Sequence, residues 1–303
     1  MARVEPVVGE PAAVADLGDE RALLVADVHA GIEAGLRYER GVELADGADE
    51  RRSRLLELIA ETTPDRVVVL GDLVHRIGAP DGDEQAELEA LVAAVTERVP
   101  LTLVEGNHDA GVAEAVGPAI DVVDPRGGML GGNDLTPGVS QGVGVLHGHT
   151  WPDPTLWQAD VICVGHEHPQ VRLEDAVGGS RTARAWLRGP LSPAAFAGSS
   201  DATQRATEGA TGVDDEAGEA DAGRAGAGEA DAGKTDADGA DVGRSFTGDP
   251  PELVVFPAFN ERSGGTWINV VGDDFLAPFL PDGLAAGDAY LLDGTRLGDF
   301  RSI

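Results

Sequence analysis

The sequence predicts an α/β fold whose strands are buried on both faces, and three observations predict it. Apolar runs of four residues recur through the first two-thirds of the chain, stretches with helical spacing separate them, and each run leads into Asp, Asn or His. Continuously apolar strands alternating with helices indicate a largely parallel sheet covered on both sides.

Leu23-Leu24-Val25-Ala26 reads as the first strand. Leu55, Leu56 and Ile59 then share one face of a helix from Glu50 to Glu61, which Pro64 stops. Val67-Val68-Val69-Leu70 is the second strand; Leu88, Leu91, Val92 and Val95 recur at helical spacing, and Leu101-Thr102-Leu103-Val104 is extended again. Val143-Gly144-Val145-Leu146 and Val161-Ile162-Cys163-Val164 complete a set of five. Ala185-Trp186-Leu187, Leu253 to Phe256, Trp267 to Val271 and Tyr290-Leu291-Leu292 are further strand-like runs.

From about Phe196 to Pro250 the chain turns to Ala, Gly, Asp, Glu and Thr, with too little apolar surface to offset the entropy of ordering. Glu219-Ala220-Asp221-Ala222-Gly223 recurs as Glu229-Ala230-Asp231-Ala232-Gly233, a slipped low-complexity repeat rather than a solenoid unit. Residues 1–195 and 251–303 are therefore expected to form one domain, interrupted by a disordered acidic insertion at 196–250.

The 303 residues carry 54 acidic against 22 basic side chains, a formal net charge of −32, and Lys234 is the sole lysine. Only −9 of that charge falls between Ser199 and Asp249, so the excess is distributed. A surface so charged repels itself in dilute buffer and is screened at about 1 M salt, where the Debye length is about 3 Å. The bias resembles that of proteins from halophilic archaea. One cysteine, Cys163, excludes an internal disulfide and is compatible with a reducing compartment; its apolar neighbours suggest a small buried hydrophobe. The N-terminus lacks an apolar signal core, and no run approaches about 18 apolar residues, so a cytoplasmic protein without a membrane span is expected.

The chemistry lies at the strand ends. The five runs lead into Asp27-Val28-His29, Gly71-Asp72, Gly106-Asn107-His108-Asp109, His147-Gly148-His149 and Gly165-His166-Glu167-His168. These clusters hold six of the seven histidines; the seventh, His75, lies three residues after Asp72. Ligands of open parallel sheets gather beyond the carboxyl ends of the strands, which would bring these donors to one pocket. Such N and O donors suit first-row divalent ions, and the absence of thiolates argues against structural zinc or an iron–sulfur cluster. An extended Asp27-x-His29 pair would place both side chains on one side of its strand. Any single motif is weak, since a lone D-x-H or G-D occurs by chance; five in order, each behind an apolar strand, are not.

That ordered series resembles the calcineurin-like metallophosphoesterase superfamily, and the sequences around His149 and His166 resemble the archaeal SbcD-related and the DNA-ligase-associated members. The resemblance implies an α/β sandwich of two mixed sheets flanked by helices, and hydrolysis of phosphate esters by in-line attack of a hydroxide held between two divalent ions. Mn is the expected metal, with Fe, Zn or Ni as alternatives. Carried over by motif, Asp27, His29 and His168 hold one ion, Asn107, His147 and His166 the other, and Asp72 bridges them. His108 is then the general acid, oriented by Asp109. His149 is a substrate or outer-sphere group, or the ligand in place of His147. Arg76 is a candidate phosphate contact, although a solvated or surface-paired arginine is the commoner outcome. Glu167 is expected to point away from the metals, and Trp151 and Trp157 to pack in the core.

A phosphate ester is the implied substrate. A DNA nuclease is an alternative, although no basic stripe is evident to hold a phosphate backbone. By resemblance alone, a DNA ligase or helicase would be a partner. A non-catalytic metal-binding or interaction module is the third reading; retention of every motif residue favours an enzyme. If the charge bias reflects a salt-rich cytoplasm, thermal unfolding followed by circular dichroism should show a melting temperature that rises steeply between dilute buffer and molar KCl. A flat profile would remove that reading.

Overall fold

The five apolar runs fold as strands, but they divide between two sheets. The computed structural model describes residues 3–42, 44–131, 142–174, 177–196, 249–270 and 275–303. The first sheet has the order β1 (Val4–Pro6), β2 (Ala12–Asp16), β3 (Arg21–Val25), β4 (Arg66–Val69), β5 (Leu101–Val104) and β6 (Asp121–Val123). Strands β3 to β6 are parallel, and β1 and β2 join antiparallel. The second sheet runs β7 (Gly128–Leu130), β8 (Val143–Leu146), β9 (Val161–Val164), β12 (Glu252–Val255), β11 (Ser180–Pro190), β13 (Asp288–Leu291) and β14 (Arg296–Asp299), with β10 (Gln170–Glu174) paired to β11. Only β8, β9 and β12 are mutually parallel there.

Burial on both faces explains why the strands read as continuous apolar runs. Alternate residues point opposite ways. Leu24, Val68, Leu70, Val143, Val145, Cys163, Trp186, Val254 and Phe256 fill the layer between the sheets. Leu23, Val25, Val67, Val69, Leu101 and Leu103 face outward instead, against Leu55, Leu58 and Ile59 of α2 (Ala48–Thr62) and Leu88, Leu91, Val92 and Val95 of α3 (Gly82–Thr96). Ile162, Val164, Leu187, Leu253 and Val255 face the other way, against Leu156, Phe196 and Phe279. The result is a mixed α/β sandwich of two sheets with helices flanking the first. Cys163 is buried, and burial pushes its thiol pKa far upward.

Several elements depart from the sequence reading. Helix α1 (Ile32–Arg40) carried too few apolar residues to stand out; it starts after Gly31 and stops at Gly41, both left-handed. Trp267 makes a single bridge with Gln170 instead of beginning a strand. There the Asn269 side chain bonds both the N–H and the carbonyl of Arg172 and takes the place of a ladder. The acidic segment expected at 196–250 lies outside the described residues, except at its ends. Phe196 ends a short helix (Pro193–Phe196) and packs against Trp151, Trp157 and Phe279, so the fold extends one aromatic residue further than composition indicated. The strands on either side, β11 and β12, pair directly. Among the described residues, no helix is long and apolar enough to cross a membrane.

One buried ion network ties the helices to the first strand end. Arg51 of α2 donates to both oxygens of Glu33 on α1 at 2.7 and 2.6 Å, and to Glu87 of α3 at 2.7 and 2.9 Å. Glu87 accepts the Gly31 N–H at 2.7 Å, and Arg262 also reaches Glu33. All three partners of the triad are buried, so removing the arginine leaves the Glu87 carboxylate without a cation and Glu33 with Arg262 alone. Arg51→Ala should therefore cost about 3–5 kcal/mol of unfolding free energy. Replacing Glu33, Arg51 and Glu87 together by leucine or methionine should recover most of it, as read by urea titration of both variants.

Candidate metal centre

All five predicted clusters come together where the two sheets meet. Asp27 and His29 follow β3, Asp72 follows β4, Asn107 to Asp109 follow β5, His147 and His149 follow β8, and His166 and His168 follow β9. The extended geometry expected for Asp27-x-His29 is not adopted. Strand β3 ends at Val25, and Asp27 and His29 have φ of 56° and 47°. Six non-glycine residues have positive φ among those described, and five belong to the candidate set: Asp27, His29, Asp72, His166 and His168. Such conformations cost on the order of 1–3 kcal/mol each and persist only where the surroundings over-determine them.

The surroundings do so. The Asp27 and His29 N–H groups donate to the Gly71 and Asp72 carbonyls at 3.1 and 2.9 Å. Asn260, buried just past β12, donates from its side chain to the Val28 carbonyl at 3.0 Å, and its backbone N–H meets the Asp27 carbonyl at 3.2 Å. Asp109 accepts the N–H groups of Asp72, Leu73 and Gly106, each at 2.8 Å. This corrects the orienting role expected for Asp109. Its carboxylate is consumed by backbone donors, and His108 instead donates Nδ1–H to the His75 carbonyl. Burial and the Asp72 charge push the Asp109 pKa up to about 6, against the pull of the Gly106 N–H. Gly71 and Gly106 allow these loops to touch, since a Cβ on either would collide with the His147 ring or the Asp72 carboxylate.

Two sets of donors result. Asp27, His29 and His168 offer ligand atoms within 4.8 Å of one another, as do Asp72, His147 and His166. The His168 Nδ1–H donates to the Gly264 carbonyl at 2.7 Å, so its Nε2 faces Asp27 Oδ1, 3.2 Å away, and His29 Nε2, 3.3 Å away. Likewise the His147 Nδ1–H donates to the Leu70 carbonyl at 2.8 Å. Its Nε2 lies 3.1 Å from Asn107 Oδ1, 3.1 Å from His166 Nδ1 and 3.3 Å from Asp72 Oδ1. Asp72 spans both sets, because its other oxygen is 3.9 Å from His29 Nε2.

Acceptors crowded this way repel unless a positive charge sits among them, and the donor set therefore fits divalent cations. Protonation responds to the same crowding. Burial alone would lower the His147 pKa, but the hydrogen bond and charge of Asp72, together with Asp27, raise it to about 9. Burial, with the His168 charge, lowers His29 to about 3, and burial beside His147 lowers His166 and His149 to about 4.

The remaining candidates are less central. His149 lies beside His147 and His166, and its buried Nδ1 has no hydrogen-bond partner among the described residues. Arg76 is paired with Asp81. Glu167 points away, accepting from Thr266 Oγ1 and the Ala277 N–H. The sequence reading missed Asn260 and left His75 without a role, although its ring packs 5.4 Å from that of His29. A polar residue just beyond another apolar run was the signal that would have found Asn260.

Residues 20–190 match the model of the calcineurin-like phosphoesterase family. No curated protein is matched. Among solved structures, the chain is similar to the Pseudomonas putida nuclease MPE, at 18% identity and a TM-score of 0.47, over 97% of this chain and 100% of that one. It is similar to the E. coli phosphoesterase Yfce at 22% identity and 0.32, over 51% and 74%. A protein of unknown function from Aquifex aeolicus is similar at 16% and 0.31, over 48% and 77%. With more than half its length matched and the motif residues converging at one point, the chain belongs to the calcineurin-like phosphoesterase family.

Proposed function

We propose that this chain hydrolyses phosphate esters with two divalent cations, Mn being the expected metal. Asp27, His29 and His168 would hold one, Asn107, His147 and His166 the other, and Asp72 would bridge them. The observation that carries this reading is Asp72 itself, with Oδ1 3.3 Å from His147 Nε2 and Oδ2 3.9 Å from His29 Nε2. When bound, such a pair lowers the pKa of a shared water and offsets the charge of the phosphoryl oxygens.

The chain's own groups supply the rest. His108, with Nδ1–H committed to the His75 carbonyl, presents Nε2 3.8 Å from Asp72 Oδ2 on the solvent side. From there an imidazolium can hand its Nε2 proton to the leaving oxygen. The His108 backbone N–H donates to Asp72 Oδ1 at 3.0 Å, which fixes the acid relative to the bridging carboxylate. Asp109 acts through the backbone of Asp72 as a positioning residue. His149, with an imidazole kept neutral by burial, is available to a substrate oxygen. Arg76 would have to leave Asp81 to reach phosphate.

The direct β11–β12 pairing supports a single domain formed by 1–195 and 251–303. A halophilic setting rests on the charge balance, and a cytoplasmic one on the single cysteine and the lack of a long apolar run. No observation favours DNA over a small ester, and the two are separated by assay.

Chelation should abolish turnover of bis-p-nitrophenyl phosphate or p-nitrophenyl phosphate in high salt, with Mn²⁺ restoring it; which of the two is cleaved decides between diesterase and monoesterase. His108→Ala should lower kcat by about 10²–10⁴ with cation stoichiometry unchanged. Unchanged kcat overturns its role. Asp109→Asn should instead weaken Mn²⁺ binding by calorimetry and lower the melting temperature, because an amide N–H₂ then faces backbone donors.

A further inference from the structure

A third cluster lies beside the two donor sets. His29, His75 and His108 each offer one ring nitrogen, and the three nitrogens lie within 4.8 Å of one another. Their ring centroids are 5.4, 5.2 and 6.0 Å apart. His75 is held firmly: its N–H meets the Ala30 carbonyl and Glu84 Oε1, each at 3.0 Å, and helix α1 packs on its ring at Gly35. His29 differs from His147 and His168 in that no carbonyl fixes its tautomer. It is only 4% exposed, and its Nδ1 has no hydrogen-bond partner among the described residues.

We propose that His29, His75 and His108 form a third cation site, selective for zinc-class ions, whose occupation stops turnover. Its three donors are all imidazole; Asp72 Oδ2, 3.8 Å from His108 Nε2 and 3.9 Å from His29 Nε2, belongs to the two-cation centre. Nitrogen-only sets favour Zn²⁺, Cu²⁺ and Ni²⁺ over Mn²⁺ and Mg²⁺. A cation there competes for His29 with the Asp27, His29 and His168 set. It also takes the Nε2 of His108, the nitrogen needed at the leaving oxygen. The enzyme would then work with Mn²⁺ and be inhibited by excess Zn²⁺ through His75, a residue with no part in the two-cation centre. This inference rests on the roles proposed above for His29 and His108.

The test uses the full chain loaded with Mn²⁺, titrated with Zn²⁺, beside His75→Gln, which keeps the carbonyl bonded by His108. Zinc should inhibit the natural protein, and the variant should need at least tenfold more for half-inhibition. Independently of activity, crystals soaked in Zn²⁺ should show zinc-edge anomalous density in contact with the His75 ring. Equal zinc sensitivity of the two proteins, or density confined to the carboxylate-bearing sets, overturns the proposal. Absence of Mn²⁺-supported turnover in the natural protein would instead overturn the reading of the enzyme, and the zinc soak would still decide this site.

Discussion

The rest of the centre depends on one electrostatic constraint, the crowding of lone pairs from Asp27, Asp72, Asn107 and four imidazoles into a buried space. No arrangement of neutral tautomers relieves it, because backbone carbonyls already claim the N–H groups of His147 and His168. A positive charge must enter, as protons or as cations. The fold keeps the donors from relaxing apart by fixing their backbones, at a local cost in left-handed conformations that packing elsewhere must offset.

That fixing comes from both halves of the chain. Asp109 clips the loop after β4 to the loop after β5. Asn260, Gly264, Thr266 and Ala277, all beyond the acidic stretch, hold the loops carrying Asp27, Glu167 and His168. The buried Arg51 network secures Gly31, two residues past His29, to three helices. The donor set is thus a product of the whole sandwich, and residues far apart in sequence act together because of it.

Much of this was legible in the sequence for a physical reason. Strands buried on both faces leave unbroken apolar runs, and polar clusters that recur at the ends of such runs meet along one edge of the fold. Asp27, Asp72, His147, His166 and His168 could be placed together on that ground alone. The division of those strands between two sheets was not legible from the runs, because facing inward toward a second sheet or outward toward a helix demands the same valines and leucines. Backbone-mediated roles escaped for a related reason. Whether Asp109 bonds an imidazole or three N–H groups depends on loop conformation, and loops such as Asp27 to His29 adopt left-handed geometry that no local propensity announces. Helix α1 was invisible because its partners are Glu87, Arg51 and His75 rather than an apolar face.

Diffraction from crystals grown with Mn²⁺, collected at the manganese edge, tests the central claim most directly. A dinuclear centre gives two anomalous peaks about 3.5–4 Å apart, one touching Asp27, His29 and His168, the other Asn107, His147 and His166, with one Asp72 oxygen on each. A single peak, or two that do not share Asp72, contradicts it.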